Sequence, residues 1–126
     1  MIQTVGRCDR FDACDAAGTL LAGGVRRAGG PLALMVGLIG SGPDSAPLWL
    51  PHTRTIHTFF MTYPLDIAFL DRNLVCMGIE RRVRPGRIAR GPAGTTSVLE
   101  APSGRSALFT AICTGERVIL RGCGTS

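Results

Sequence analysis

The sequence predicts a single compact α+β domain, mostly β, in which a curled antiparallel sheet or partial barrel carries two short helices. Three observations lead there. A chain of 126 residues is the length of one domain. Its 45% hydrophobic and 18% charged residues supply enough apolar area to offset chain entropy. From Leu48 to Leu120 the apolar residues fall in short runs rich in β-branched and aromatic types, broken by Pro, Gly and Asn, whereas helical spacing occurs in only two places.

Residues 1–24 keep no helical or strand period for more than a few positions and read as a loosely structured arm with room for one strand. Val25 to Ala28 is a short edge strand. Pro31 then opens a helix over 31–39, where Leu32, Met35, Val36 and Ile39 form one apolar stripe and Gly40-Ser41-Gly42-Pro43 stops it. Leu48 to Leu50 is a strand between prolines. Ile56 to Tyr63 is a second, read as central because His57, Phe59, Met61 and Tyr63 share one face, Ile56, Thr58, Phe60 and Thr62 share the other, and neither is plainly polar.

Leu65 to Leu70 has the clearest alternation, with Leu65, Ile67 and Phe69 opposite Asp66, Ala68 and Leu70. Asp71-Arg72-Asn73-Leu74 is a tight turn, with Asn73 the residue best suited to a left-handed backbone. Leu74 to Glu80 returns. The segment 81–90 sets five arginines around a Pro-Gly turn and reads as a solvated hairpin tip. Thr96 to Glu100 is a further strand, a helix follows over 105–112 with Ser103 as its cap, Val118 to Leu120 closes the domain, and 121–126 is a tail. The predicted core is Leu50, Phe60, Met61, Ile67, Phe69, Val75, Ile79, Leu99 and Leu108.

Composition narrows the function classes. All fourteen basic side chains are Arg, with no Lys, against six Asp and three Glu, for a net charge of +5. That bias is what a GC-rich coding sequence produces, so it argues only weakly for a polyanion partner. The five cysteines form no Cys-x-x-Cys pair, and no metal-ligand spacing, phosphate loop, dinucleotide fingerprint or nucleophile elbow occurs. No metal or cofactor is therefore expected. The opening residues lack the apolar core of a secretory signal, and the longest apolar run is too short to span a membrane, so a cytoplasmic location is expected.

The remaining candidates are Arg54, His57, Asp66 and Glu100, polar groups set in the most apolar part of the chain. Asp66 inside Leu65-Asp-Ile-Ala-Phe-Leu70 needs a partner, because an unpaired buried carboxylate costs several kcal/mol. Either turn amides or an Arg satisfy it, or it meets His57 on an adjacent strand at the rim of a pocket. Glu100 stands before a loop and a predicted helix N-terminus. The leading reading is a non-enzymatic binding or accessory module whose pocket these four residues edge, its partner an unidentified protein or small molecule. One alternative is a small hydrolase or isomerase-like enzyme using His57 and Asp66 as a proton-transfer pair. Another is weak nucleic-acid contact through Arg81, Arg82, Arg84, Arg87 and Arg90, ranked last because only 6% of residues are aromatic.

The segment Ile56-His-Thr-Phe-Phe-Met-Thr-Tyr-Pro-Leu-Asp-Ile-Ala-Phe-Leu-Asp-Arg-Asn73 resembles the signature of the domain of unknown function 192 family. Arg84-Pro85-Gly86-Arg87, Val98-Leu99-Glu100 with Pro102 and Gly104, and Thr114-Gly115-Glu116-Arg117-Val118 are similar to its later motifs. Val25-Arg-Arg-Ala28 and Gly37-Leu-Ile-Gly40 are similar to its start. The likeness covers about residues 25–120 and implies a small β-rich domain with short helices, without implying an activity. Three positions depart from the pattern: Gly86 stands where Trp is usual, Ser41 where Arg is expected, and Asn73 at a common Gly position.

Overall fold

The computed structural model describes residues 10–27, 47–59, 61–104 and 114–122. They form nine strands: β1 (Arg10–Cys14), β2 (Leu20–Arg27), β3 (Leu48–Pro51), β4 (Thr55–His57), β5 (Leu65–Leu70), β6 (Cys76–Val83), β7 (Ile88–Arg90), β8 (Ser97–Pro102) and β9 (Ile119–Gly122). Seven make one sheet in the order β6-β5-β8-β3-β2-β1-β9, and β4 pairs with β7 in a second. The described part is all β. Both predicted helices, with Phe60 and Leu108 of the predicted core, lie outside the described residues.

The large sheet is mixed rather than antiparallel, because β2 and β3 run parallel. It does not close into a barrel. Residues just before β9 nonetheless bond back to the start of β6, where Val75 bridges Arg117, Val118 N donates to Leu74 O at 2.9 Å and Cys76 N to Glu116 O at 2.7 Å. Residues 10–24, read from the sequence as a loose arm, contain β1 and most of β2, and β9 carries the chain as far as Gly122. Strands β2, β1 and β9 lie at the far side of the sheet from β5, where Phe11 partners Gly122.

Strands β5 and β8 are buried at every residue and pair with each other, so each presents two apolar faces. Toward one side point Leu65, Ile67, Phe69 and Val98, which pack with Leu48, Leu50, Met61, Tyr63, Val83 and the inward residues Ile56 and Ala89 of the small sheet. Toward the other point Ala68, Leu70, Leu99 and Ala101, which pack with Phe11, Ala13, Val25, Cys76 and Val118. The alternation predicted for Leu65 to Leu70 is the one observed. Of the predicted core, Leu50, Met61, Ile67, Phe69 and Leu99 are buried, and Val75 and Ile79 are half-buried.

The predicted strand Ile56 to Tyr63 is cut to Thr55–His57 and lies in the small sheet, not at the centre of the large one. Thr58 is the reason. Its hydroxyl donates to Arg84 O at 2.6 Å and accepts from Arg87 N at 2.9 Å, while its own amide donates to Arg87 O and its carbonyl accepts from Gly86 N and Met61 N. These bonds turn the chain onto the Arg84–Arg87 loop in place of continuing a ladder. Gly86 stands there at φ +81°, a backbone that its missing Cβ allows and that Trp would adopt only with strain.

The Asp71–Leu74 turn forms, but its left-handed residue is Leu74, at φ +63°, not Asn73. Asp71 Oδ1 accepts from both Asn73 N at 2.8 Å and Val75 N at 3.0 Å, which holds Asn73 in a right-handed turn and passes the positive φ to the next residue.

Candidate functional site

The sheet register decides where the four candidate residues point. Asp66 pairs with Ala101, and Glu100 pairs with Ile67 on one side and Leu48 on the other. Neighbours along a strand face opposite ways. Asp66 therefore lies on the face of Leu99 and Ala101, and Glu100 on the face of Val98, Ile67 and Leu48.

Asp66 is buried and well supplied with donors. Oδ1 accepts from Arg82 N at 2.9 Å and Ser103 Oγ at 2.8 Å, and Gly104 N lies 3.4 Å from Oδ2. The Arg82 amide is available because β6 bulges between the partners of Leu65 and Ile67, with Arg82 at φ 55°. The carboxylate thus ties β5 to the β6 bulge and to the turn after β8. Removing it leaves an Arg82 N–H and a Ser103 hydroxyl without their acceptor. Asp66→Ala is expected to lower stability by about 2–3 kcal/mol in urea denaturation, and Asp66→Asn, which keeps one acceptor oxygen, by about 1 kcal/mol.

His57 lies on β4, across from Ile88, with its ring exposed and stacked on Phe59 at 4.9 Å between centroids. Among the described residues no hydrogen bond joins it to Asp66, and the two occupy different sheets. The expectation that adjacent strands bring them together is corrected: β4 pairs with β7 in the small sheet and not with β5. Arg54 precedes β4 and donates from Nε to Gly91 O at 2.9 Å, while Gly91 N donates to Arg54 O. These bonds extend the pairing of the small sheet one residue beyond Thr55 and Arg90.

Glu100 has the opposite setting from Asp66. It is 1% exposed, and neither carboxyl oxygen has a hydrogen-bond partner among the described residues. The sequence placed it at a strand end beside a loop, but β8 continues to Pro102 and buries it within the strand. Across the row its neighbours are Leu48 and Ile67, and the nearest cation and anion of that row, Arg26 and Glu80, stand one strand further out, about 10 Å away. Among the described residues nothing compensates for the lost water. Burial accordingly pushes the Glu100 carboxyl from 4.5 up to about 8.

The family model that matches the chain, DUF192, described as Uncharacterized ACR, covers residues 25–120. The chain belongs to the DUF192 family. No curated protein matches this DUF192 chain. Among solved structures it is similar to a protein of unknown function from Novosphingobium aromaticivorans DSM 12444, at 20% identity and a TM-score of 0.67 over 87% of this chain and 83% of that one. It is also similar to the "putative transcription regulator" from Sinorhizobium meliloti 1021, at 18% identity and a TM-score of 0.71 over 90% of this chain and 94% of that one. At such identities the likeness shows a shared fold and nothing about chemistry. Among the described residues no helix is long and apolar enough to cross a membrane.

Proposed function

We propose that the domain is a non-enzymatic binding module in which the Glu100 carboxyl contacts the ligand. The observation that supports this most is the contrast between two buried acids in adjacent pairings of the same two strands. Among the described residues Asp66 receives three donors, whereas Glu100 receives none. A strand face otherwise lined by Leu48, Ile67 and Val98 gains no stability from an unpaired carboxyl, and an apolar residue of similar volume would serve the fold better. A group kept there at a cost is suited to a partner that brings its own hydrogen-bond donor or positive charge.

Arg54, His57 and Asp66 enter this reading as parts of the frame around the small sheet and the β6 bulge, since the register separates them from Glu100. The proton-transfer alternative draws no support from the geometry, which gives Asp66 to other donors and stacks His57 on Phe59.

The test is calorimetric titration of the full chain with three small probes: ethylamine, methylguanidinium and acetamide. Near pH 7 the buried carboxyl is mostly protonated, so a cation that pairs with it displaces a proton, and the heat then depends on the ionisation enthalpy of the buffer. Binding of at least one probe is expected in the wild type and not in Glu100→Gln. A wild type that binds none of the three, or a variant that binds equally well, overturns the proposal.

A further inference from the structure

The outward face of the small sheet is unlike the rest of the surface. Ile56 and Ala89 point into the core, so Thr55 and His57 of β4 and Ile88 and Arg90 of β7 point away from it. The register sets Thr55 beside Arg90 and His57 beside Ile88. Ile88 is 66% exposed and Phe59 41%, unusual values for large apolar side chains. The Phe59 ring lies against the His57 ring at an interplanar angle of 27°, which leaves two flat aromatic surfaces held at the edge of this face.

The adjoining chain is rich in cations. Arg90 lies on the face itself, Arg84 and Arg87 flank the Pro85-Gly86 turn, and Arg81 and Arg82 lie near the end of β6 in the large sheet, all five exposed. Thr58 fixes their placement, since its bonds to Arg84 O, Arg87 N and Arg87 O lock the arginine turn against the residue that precedes Phe59. No ion pair engages any of the five among the described residues. The low aromatic content of the sequence counts against polyanion binding, but Phe59, stacked on the His57 imidazole, lies next to the residue that holds the arginine turn.

We propose that the outward face of β4 and β7, with Phe59 and the Arg81–Arg90 turn, is a docking surface for single-stranded nucleic acid. Charge complementarity supplies the first argument, because unpaired guanidinium groups around a flat face suit a chain of phosphates. The paired rings supply the second and separate this partner from an acidic protein. Unstacked bases offer flat faces to a His–Phe platform, and duplex DNA and acidic peptides do not. The surface is distinct from Glu100, which lies on the buried face of the large sheet with Leu48 and Ile67, whereas Thr55, His57, Ile88 and Arg90 point away from that core.

Fluorescence anisotropy of labelled 12-nucleotide oligo(U) and oligo(dT), with the full chain, tests the assignment. Binding of either oligonucleotide is expected at 50 mM salt, weakening about a hundredfold by 200 mM if all five arginines meet phosphate. Arg84→Ala and Arg87→Ala should each reduce the slope of log affinity against log salt by about 0.7. The double variant His57→Ala/Phe59→Ala should weaken binding about tenfold or more while leaving that slope unchanged. All four side chains are exposed, and circular dichroism confirms that the variants fold. Absence of binding at 50 mM salt, indifference to the ring substitutions, or equal competition by polyglutamate at matched charge overturns the proposal, the last pointing to an acidic protein.

Discussion

Glu100→Gln is expected to leave stability nearly unchanged below pH 4.5 and to raise it progressively above that value. The folded carboxyl holds its proton up to about pH 8, whereas the same group in the unfolded chain releases it near 4.5. Below both values the two states bind the proton alike and the group adds no pH dependence. Between them the unfolded chain ionises while the folded one does not, so wild-type stability falls as pH rises, and above about 8 the loss is complete. At 1.36 kcal/mol per pH unit the deficit reaches about 3 kcal/mol at pH 7 and about 5 kcal/mol beyond pH 8. Glutamine fills the same volume and never ionises. Urea denaturation of both proteins from pH 4 to 9 measures the difference directly, and titrations common to both cancel. A wild-type-minus-variant difference that stays constant with pH would show that Glu100 is solvated or paired after all, and the binding proposal would lose its foundation.

The same energetics connect stability to function. A carboxyl that weakens the fold in the ligand-free protein gives a ligand room to stabilise it, since any donor that pairs with Glu100 recovers part of the desolvation cost. The gain should be largest near and above pH 7, where the deficit is largest. Asp66 has no such reserve. Its donors come from β6 and the turn after β8, so its contribution is already complete in the free protein.

Much of the central sheet was legible because its signal is local. Leu65 to Leu70 alternates cleanly, and two apolar faces on adjacent strands can only be satisfied by burial on both sides. The Asp71 turn was legible for the same reason. What could not be read depends on contacts distant in the chain. Residues 10–27 lack a period of their own, and their strands are fixed by partners such as Gly122 and Leu48. The end of β4 at His57 is set by the Thr58 hydroxyl meeting carbonyls 26 and 29 residues later, a bond with no sequence pattern. Predicting that His57 and Asp66 meet required β4 and β5 to pair, and this failed with the strand boundary. One sequence signal for Glu100 did exist. Thr96-Ser-Val-Leu-Glu100 is followed by Ala101-Pro102, and continuing the alternation two residues further would have placed the acid inside the strand.

Gly91→Ala is expected to destabilise the protein by about 3 kcal/mol, at the upper end of overpacking effects. Gly91 is buried between Arg54 and Phe69, and a Cβ built on it would lie 2.5 Å from Thr95 Oγ1 and 2.6 Å and 2.9 Å from two carbons of the Phe69 ring. The threonine hydroxyl can rotate. The ring cannot, because Phe69 is 2% exposed and fixed among Leu50, Ile67 and Val98, so the backbone of residue 91 must move instead. That movement strains the reciprocal bonds between Gly91 and Arg54, which hold β7 to the segment before β4. The damage is therefore expected to reach the small sheet and to appear as faster hydrogen exchange at Ile56 and Ala89, as well as a lower urea midpoint. Phe69→Leu separates steric conflict from other causes. Alone it removes ring volume and costs about 1 kcal/mol, but in the Gly91→Ala background it makes space for the new methyl, so the double variant should be more stable than the sum of the two single losses by at least 1 kcal/mol. Strict additivity would mean that the ring yields freely, and the close approach of the Gly91 backbone to Phe69 would then have no bearing on how the two sheets are joined.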